Sequence, residues 1–216
     1  MPEVIFSGPA GRIEGRYHHN PAADAPVAIL LHPHPRFGGT MNNPIVHALY
    51  YTFREHGFSV LRFNFRGVGR SEGGYDNGAG ELADAATALD WVQGFNRDAR
   101  SSWITGVSFG AWISMQLLMR RPEIKNFISI APMIVADRYE FDFLAPCPTS
   151  GLFVNGDEDS VTPPEHVSAL VSRLKMQKKG LIEHRTISGA DHFFTDKARD
   201  LLAMVGDYLD NRLRDH

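Results

Sequence analysis

The segment Gly106-Val107-Ser108-Phe109-Gly110 sets one hydroxyl between two glycines, where the apolar run SSWITGVS (101 to 108) gives way to a stretch of helical period. A G-x-S-x-G at a strand-to-helix turn is the pattern of a nucleophile elbow, a sharp and strained turn that lifts the serine above the edge of a sheet. A serine hydroxyl is a weak nucleophile at neutral pH, so it needs a base to take its proton and an acid to orient that base. His192 can supply the base, from the loop SGADHFF that follows the last expected strand. The acid can come from GDEDSVTPP, where Asp157 and Asp159 both follow the strand before it. Such a set carries out acyl transfer. Its developing negative charge needs two N–H donors: Phe109, immediately after the serine, and one from HPHPRFGG, after the third expected strand.

These groups can meet only if the elements between them form one sheet. Short β-rich runs alternate with longer segments of helical period, the pattern of a mostly parallel sheet with helices on both faces. VIFSG and RIEGRYH flank the turn-forming PAG and read as an opening hairpin at an edge. VAILLHP (27 to 33), FSVLRFNF (58 to 65), SSWITGVS, KNFISIAP (125 to 132), TSGLFVNGDED (149 to 159) and LIEHRTISGA (181 to 190) read as the remaining strands. NNPIVHALYYTFREHG reads as a helix with asparagine caps, a proline in its first turn and Gly57 at its end. Its apolar stripe is Ile45, Ala48, Leu49 and Phe53. A second helix is expected from about Glu81, with Leu82, Ala85, Ala86, Leu89 and Val92 facing inward. A third follows the elbow through Arg121, a fourth starts near Pro164, and a fifth carries Leu202, Val205 and Leu209. Only MIVADRYEFDFLAPCP (133 to 148) is irregular, too short for a domain and long enough for a minimal cap. Its Tyr139, Phe141 and Phe143 would touch apolar or aromatic groups of a substrate, or simply pack on the core.

At 216 residues the chain suits one domain, residues 1–216, with a substantial core. A hydrophobic content of 43% and a formal net charge of -3 are those of an ordinary globular protein, with no electrostatic call for a nucleic-acid partner. No apolar run approaches the roughly 18 to 20 residues that span a bilayer, and no export signal is recognisable, so a cytoplasmic location without membrane partners is expected. With Cys147 as its single cysteine, the chain cannot form an internal disulfide.

Two other patterns compete for a chemical reading. His32 and His34 form an H-x-H pair, yet the spacing identifies no third ligand, so no metal site is assigned. His32 is expected to brace the loop after the third strand from within. GVGRSEGG has Glu72 where G-x-G-x-x-G requires glycine, and it lacks the Gly-Lys-Ser/Thr of a phosphate loop. It reads as a turn packing against the sheet.

With HPHPRFGGTMNN after the third strand, FNFRGVGRSEG after the fourth, GVSFG at the elbow, GDEDSVTP after the seventh and DHFF near the end, the chain resembles an α/β-hydrolase. It is particularly similar to small bacterial hydrolases with a dienelactone-hydrolase-like core and an HP-x-x-x-x-GG-x-M-x-N segment. The order serine, aspartate, histidine is that of the same fold. In the family pattern the acid stands three residues after a glycine and just before Val-x-Pro, which implies Asp159, with Asp157 in a turn and Glu158 facing solvent. The resemblance also implies His34 as the second oxyanion donor through its main chain. Dienelactone hydrolase itself uses a cysteine nucleophile, so lactone hydrolysis is not carried over. The resulting expectation is a serine hydrolase acting on a small-molecule carboxylic ester or thioester through Ser108, His192 and Asp159, with no cofactor. An amidase or peptidase using the same triad, and a non-catalytic interaction protein that has kept the fold, are the alternatives.

Overall fold

The computed structural model describes residues 2–176 and 180–214. Among the described residues eight strands form one sheet: β1 (Glu3–Gly8), β2 (Gly11–His18), β3 (Val27–Leu31), β4 (Ser59–Phe63), β5 (Ser102–Val107), β6 (Ile124–Ile130), β7 (Ser150–Gly156) and β8 (Ile182–Ile187). Their order across the sheet is β1-β2-β4-β3-β5-β6-β7-β8. The β1–β2 hairpin and its β2–β4 junction are antiparallel, and every later pairing is parallel. Among the described residues four α-helices run between strands, α1 (Pro44–Glu55), α2 (Ala79–Phe95), α3 (Phe109–Leu118) and α4 (Pro164–Lys175), and α5 (Ala198–Arg214) follows β8.

The alternation of side chains along each strand sorts the core into two layers. Val27, Ile29 and Leu31 of β3 join α2, α3 and α4 on one face, while Ala28 and Leu30 join α1 and α5 on the other. Every residue of β3, β4 and β5 is buried, as parallel strands covered on both faces must be. Two cores around one sheet account for the near-continuous apolar runs in these segments.

This order places a topological switch between β3 and β5. From β3 the chain crosses through α1 to one neighbour, and β5 goes on through α3 to β6 on the other side, so the loops after β3 and β5 diverge at the carboxyl ends of the strands. The crevice that opens there is where ligands bind in open parallel sheets. The elbow and HPHPRFGG are the two loops on its lips.

The structure moves several expected boundaries. β7 stops at Gly156 and β8 at Ile187, where both chains leave the sheet through exposed residues, Asp157 and Glu158 after β7 and Ser188 and Gly189 after β8. α2 starts at Ala79, two residues before Glu81, whose carboxylate accepts from the N–H groups of Gly78 (2.8 Å) and Asp76 (3.0 Å) and closes the first turn. Its buried face is Gly80, Glu81, Asp84, Ala85, Ala88, Leu89 and Val92. Leu82 and Ala86 lie partly buried beside it, rotated off the expected stripe because Asp84 turns in to bind Arg66 through two side-chain bonds of 3.0 and 2.8 Å. In α1, Val46 and Tyr50 are buried with Ile45, Leu49 and Phe53, leaving Ala48 at the margin. Among the described residues no helix is long and apolar enough to cross a membrane.

Candidate active site

Ser108 sits between β5 and α3 with φ 56° and ψ -115°, a left-handed backbone that a non-glycine residue holds only where its surroundings enforce it. Its N–H donates to Ile130 O (2.9 Å), and its carbonyl accepts from Ala111 (3.0 Å) and Met133 (3.3 Å). The framing glycines are needed for close approach. A Cβ at Gly106 would lie 2.2 Å from Gly110 O, and one at Gly110 would lie 2.4 Å from Leu31 O and 2.6 Å from His32 O. Only glycine at both positions lets the start of α3 press against the ends of β3 and β5, which brings the elbow and the loop after β3 to one crevice.

His192 Nε2 lies 2.9 Å from Ser108 Oγ, and His192 Nδ1 lies 2.8 Å from Asp159 Oδ2. A carboxylate can only accept, so Nδ1 carries the proton and Nε2 is left to accept from the serine hydroxyl. The other oxygen, Asp159 Oδ1, accepts from the N–H groups of Val161 (2.9 Å) and Thr162 (2.8 Å). These bonds fix the carboxylate in the tight loop after β7. Ser108, Asp159 and His192 are each at most 5% exposed, a dry setting in which such bonds are strong. Asp157 is exposed and accepts from Gly189 N–H at 2.6 Å, tying the loop after β7 to the one after β8. The structure therefore brings Asp159, and not Asp157, to His192; Glu158 faces solvent.

Phe109 is the first residue of α3, and the first N–H groups of a helix have no acceptor within it. At this same end the helix dipole favours negative charge. His34 packs its ring on Phe109, centroids 4.7 Å apart. Its Nδ1 accepts from Arg36 N–H (3.1 Å), capping the short 3-10 turn Pro35–Phe37. That leaves the proton on Nε2, which donates to the Tyr139 hydroxyl at 2.9 Å. Burial, aided by the cations of Arg138 and Arg36, pulls the His34 pKa down to about 4, so the ring is neutral at ordinary pH.

His32 is fully buried and, as expected, braces the loop: Nε2 accepts from Phe65 N–H (3.1 Å) and Nδ1 donates to Pro33 O (2.6 Å). Burial lowers its pKa to about 4. Both ring nitrogens are committed to the backbone, and among the described residues no group of three or more His, Cys, Asp or Glu could hold a metal ion. Gly38 closes the short turn at φ 79°, and Gly39 lies where a Cβ would meet Pro33 O at 2.0 Å. The shape of the turn accounts for both.

Sequence reasoning missed what anchors this loop. Met41 is held from both sides, its N–H by Asn64 Oδ1 (2.8 Å) and its carbonyl by Arg62 Nη1 (2.5 Å). Asn64 in turn donates to Glu14 Oε2 (3.0 Å). The signal was visible as two polar residues, Arg62 and Asn64, inside the otherwise apolar FSVLRFNF. GVGRSEGG is a turn on the sheet, as read: Ser71 Oγ donates to Asn64 O (2.7 Å) and accepts from Glu14 N–H (3.0 Å).

Residues 133 to 148 contain a 3-10 turn, Asp142–Leu144, and one bridge between Val135 and Tyr139. Tyr139 and Phe141 are buried in the core and Phe143 packs against it. The core reading of these aromatics therefore holds, with one addition: Tyr139 binds His34. Ile134 N–H donates to Thr162 Oγ1 at 3.3 Å, so this segment also touches the loop that carries Asp159.

The eight-stranded sheet and the crevice at its switch point define an α/β serine hydrolase. Residues 16–144 match the family model described as X-Pro dipeptidyl-peptidase (S15 family), and the chain belongs to that family. The match takes in Ser108 and the loop after β3, and ends before Asp159 and His192. A protein of unknown function from Agrobacterium tumefaciens is similar throughout: 60% identical, TM-score 0.96, covering 100% of this chain and 98% of that one. An α/β serine hydrolase homologue from Coxiella burnetii is 34% identical with a TM-score of 0.87, covering 96% and 97% of the two chains. An α/β serine hydrolase without a lid from Xanthomonas campestris is 30% identical with a TM-score of 0.84, covering 98% and 94%.

Proposed function

We propose that the protein hydrolyses a carboxylic ester or thioester through an acyl-enzyme on Ser108. The observation that carries this reading is the hydrogen-bonded chain from Ser108 Oγ through His192 to Asp159, at 2.9 and 2.8 Å. Ser108 Oγ attacks the acyl carbon as His192 Nε2 takes its proton, and the tetrahedral oxyanion is held by the N–H groups of Phe109 and His34. His192 returns the proton to the leaving oxygen or sulfur, which departs and leaves the acyl group on Ser108. Water then enters, gives its proton to His192, and releases the acid with the serine restored. Asp159 holds the imidazole in the productive tautomer and stabilises its charged form. No step calls for a cofactor.

A peptide reading is favoured by one finding, the description of the matched family as X-Pro dipeptidyl-peptidase. The same residues would serve it, with an amine as leaving group. A panel of short esters, thioesters, amides and X-Pro dipeptide amides, run on the wild type and on Ser108→Ala, separates the two. Ester or thioester turnover well above amide turnover, abolished in Ser108→Ala, is the expected result. Preferential cleavage of the X-Pro amide would replace the ester reading with the peptide one.

A further inference from the structure

An open groove of about 440 Å³ runs between residues 134 to 142 and α4. Ile134, Val135, Ala136, Glu140 and Phe141 form one wall, and Ala169 and Leu170 form the other. Its first wall residue, Ile134, follows directly on a backbone bond to the elbow. Met133 N–H bonds the Ser108 carbonyl, and the next residue, Ile134, bonds Thr162, whose own N–H bonds Asp159. The far end is closed by Arg173, which ion-pairs with Asp142 and donates to Phe141 O (3.2 Å). His166 stands nearer the start of α4 and Arg173 nearer its end, so seven residues of helix give the groove a length of about 10 Å.

The apolar character extends to the mouth of the site. Eight large apolar side chains are exposed among the described residues, and four of them, Phe37, Val135, Val161 and Phe193, lie on the loops around the triad. Phe193 stands edge-on to His192, centroids 5.3 Å apart. Val135 belongs to the groove, on the side of the Ser108 carbonyl.

We propose that this groove binds the apolar acyl chain of the substrate, which makes the preferred substrates esters or thioesters of medium-chain fatty acids rather than of acetate. The proposal rests on the acyl-enzyme reading. The acyl group remains on Ser108 after the leaving group has gone, and the groove wall of Ile134 and Val135 follows Met133, whose N–H bonds the Ser108 carbonyl. Burial of each methylene in a fully enclosed pocket corresponds to about a fourfold gain, and an open groove returns less, about twofold to threefold. The gain stops where the chain reaches the Arg173–Asp142 pair.

The test measures kcat/KM for acetate, butanoate, octanoate and hexadecanoate esters of one alcohol, then for acetates of lengthening alcohols, alongside fluorophosphonate labelling of Ser108. The expected profile rises from acetate to octanoate and then levels or falls, and lengthening the alcohol does not reproduce it. Ala169→Phe, an exposed position on α4 whose new ring would enter the groove, should cut the octanoate-to-acetate ratio about tenfold or more. Adduct formation on Ser108 with a flat acyl-length profile, or a ratio unmoved by Ala169→Phe, would overturn the groove assignment and leave the acyl-enzyme reading standing. Failure of Ser108 to label would remove that reading, and the groove proposal with it.

Discussion

Gly110→Ala puts the geometry of the elbow to a quantitative test. The added Cβ would lie 2.4 Å from Leu31 O and 2.6 Å from His32 O, where 3.4 Å is ordinary contact. Both obstacles are backbone, so no side chain can swing away, and the start of α3 must retreat from β3 by about 1 Å. The retreat would widen the gap between the Phe109 and His34 N–H groups proposed to share the oxyanion, and a misplacement of about 1 Å costs on the order of 10²-fold in rate. Overpacking should also cost about 1 to 3 kcal/mol of stability. The assay is kcat on a short ester, with thermal unfolding followed by circular dichroism to show that the variant is folded at the assay temperature. Gly94→Ala is the control, since its Cβ meets nothing within 4 Å on the exposed end of α2; it should stabilise by about 0.5 to 1 kcal/mol and leave kcat alone. A folded Gly110→Ala variant with kcat within a few-fold of wild type would refute the argument that close packing of α3 on β3 sets the catalytic geometry.

Three further outcomes follow from the site. Asp159→Asn should lower kcat by about 10⁴, because an amide cannot hold the His192 tautomer as a carboxylate does. Asp157→Asn should cost only about 0.5 to 1.5 kcal/mol of stability through its bond to Gly189, and the reversed ranking would transfer the role to Asp157. Tyr139→Phe removes the acceptor of the His34 Nε2 proton, so kcat should fall with little change in KM and stability should drop by about 1 to 3 kcal/mol; an unchanged kcat would show that the loop holds without it. His32 is buried neutral with its pKa lowered from 6.5 to about 4, so the unfolded chain binds the extra proton and stability is complete above about pH 6.5. It should be lost as the pH falls toward 4, by about 3 kcal/mol at most. Urea midpoints measured across this range should decline less in His32→Gln than in wild type; parallel declines would place the acid sensitivity elsewhere.

What could be read from the sequence was whatever depends on local pattern. The alternation of apolar runs and helical stretches gave the sheet and its helices, and G-x-S-x-G gave the elbow, because its strain and its glycines lie within five consecutive residues. The two aspartates could not be separated by spacing alone. Their difference arises from the turn of the loop after β7, where Asp159 Oδ1 accepts from the N–H groups of Val161 and Thr162 while Asp157 reaches out to Gly189. The family pattern anticipated that outcome. Tyr139 was read as a substrate contact or core residue, because nothing local relates it to His34, 105 residues away. Arg62 was missed for the same reason, since its partner Met41 meets it only once the loops close; the bonds of Glu81 to Gly78 and Asp76 are local and follow the capping spacing at the start of α2.

The central claim is that Ser108 is the nucleophile of a metal-independent acyl transfer. The most direct measurement is intact-mass and peptide mass spectrometry after fluorophosphonate treatment, with ester turnover followed in parallel with and without EDTA. One adduct per chain, on Ser108, with turnover lost in proportion to labelling and unaffected by EDTA, is the predicted result. Turnover that survives complete labelling, or that EDTA abolishes and added zinc restores, would contradict it.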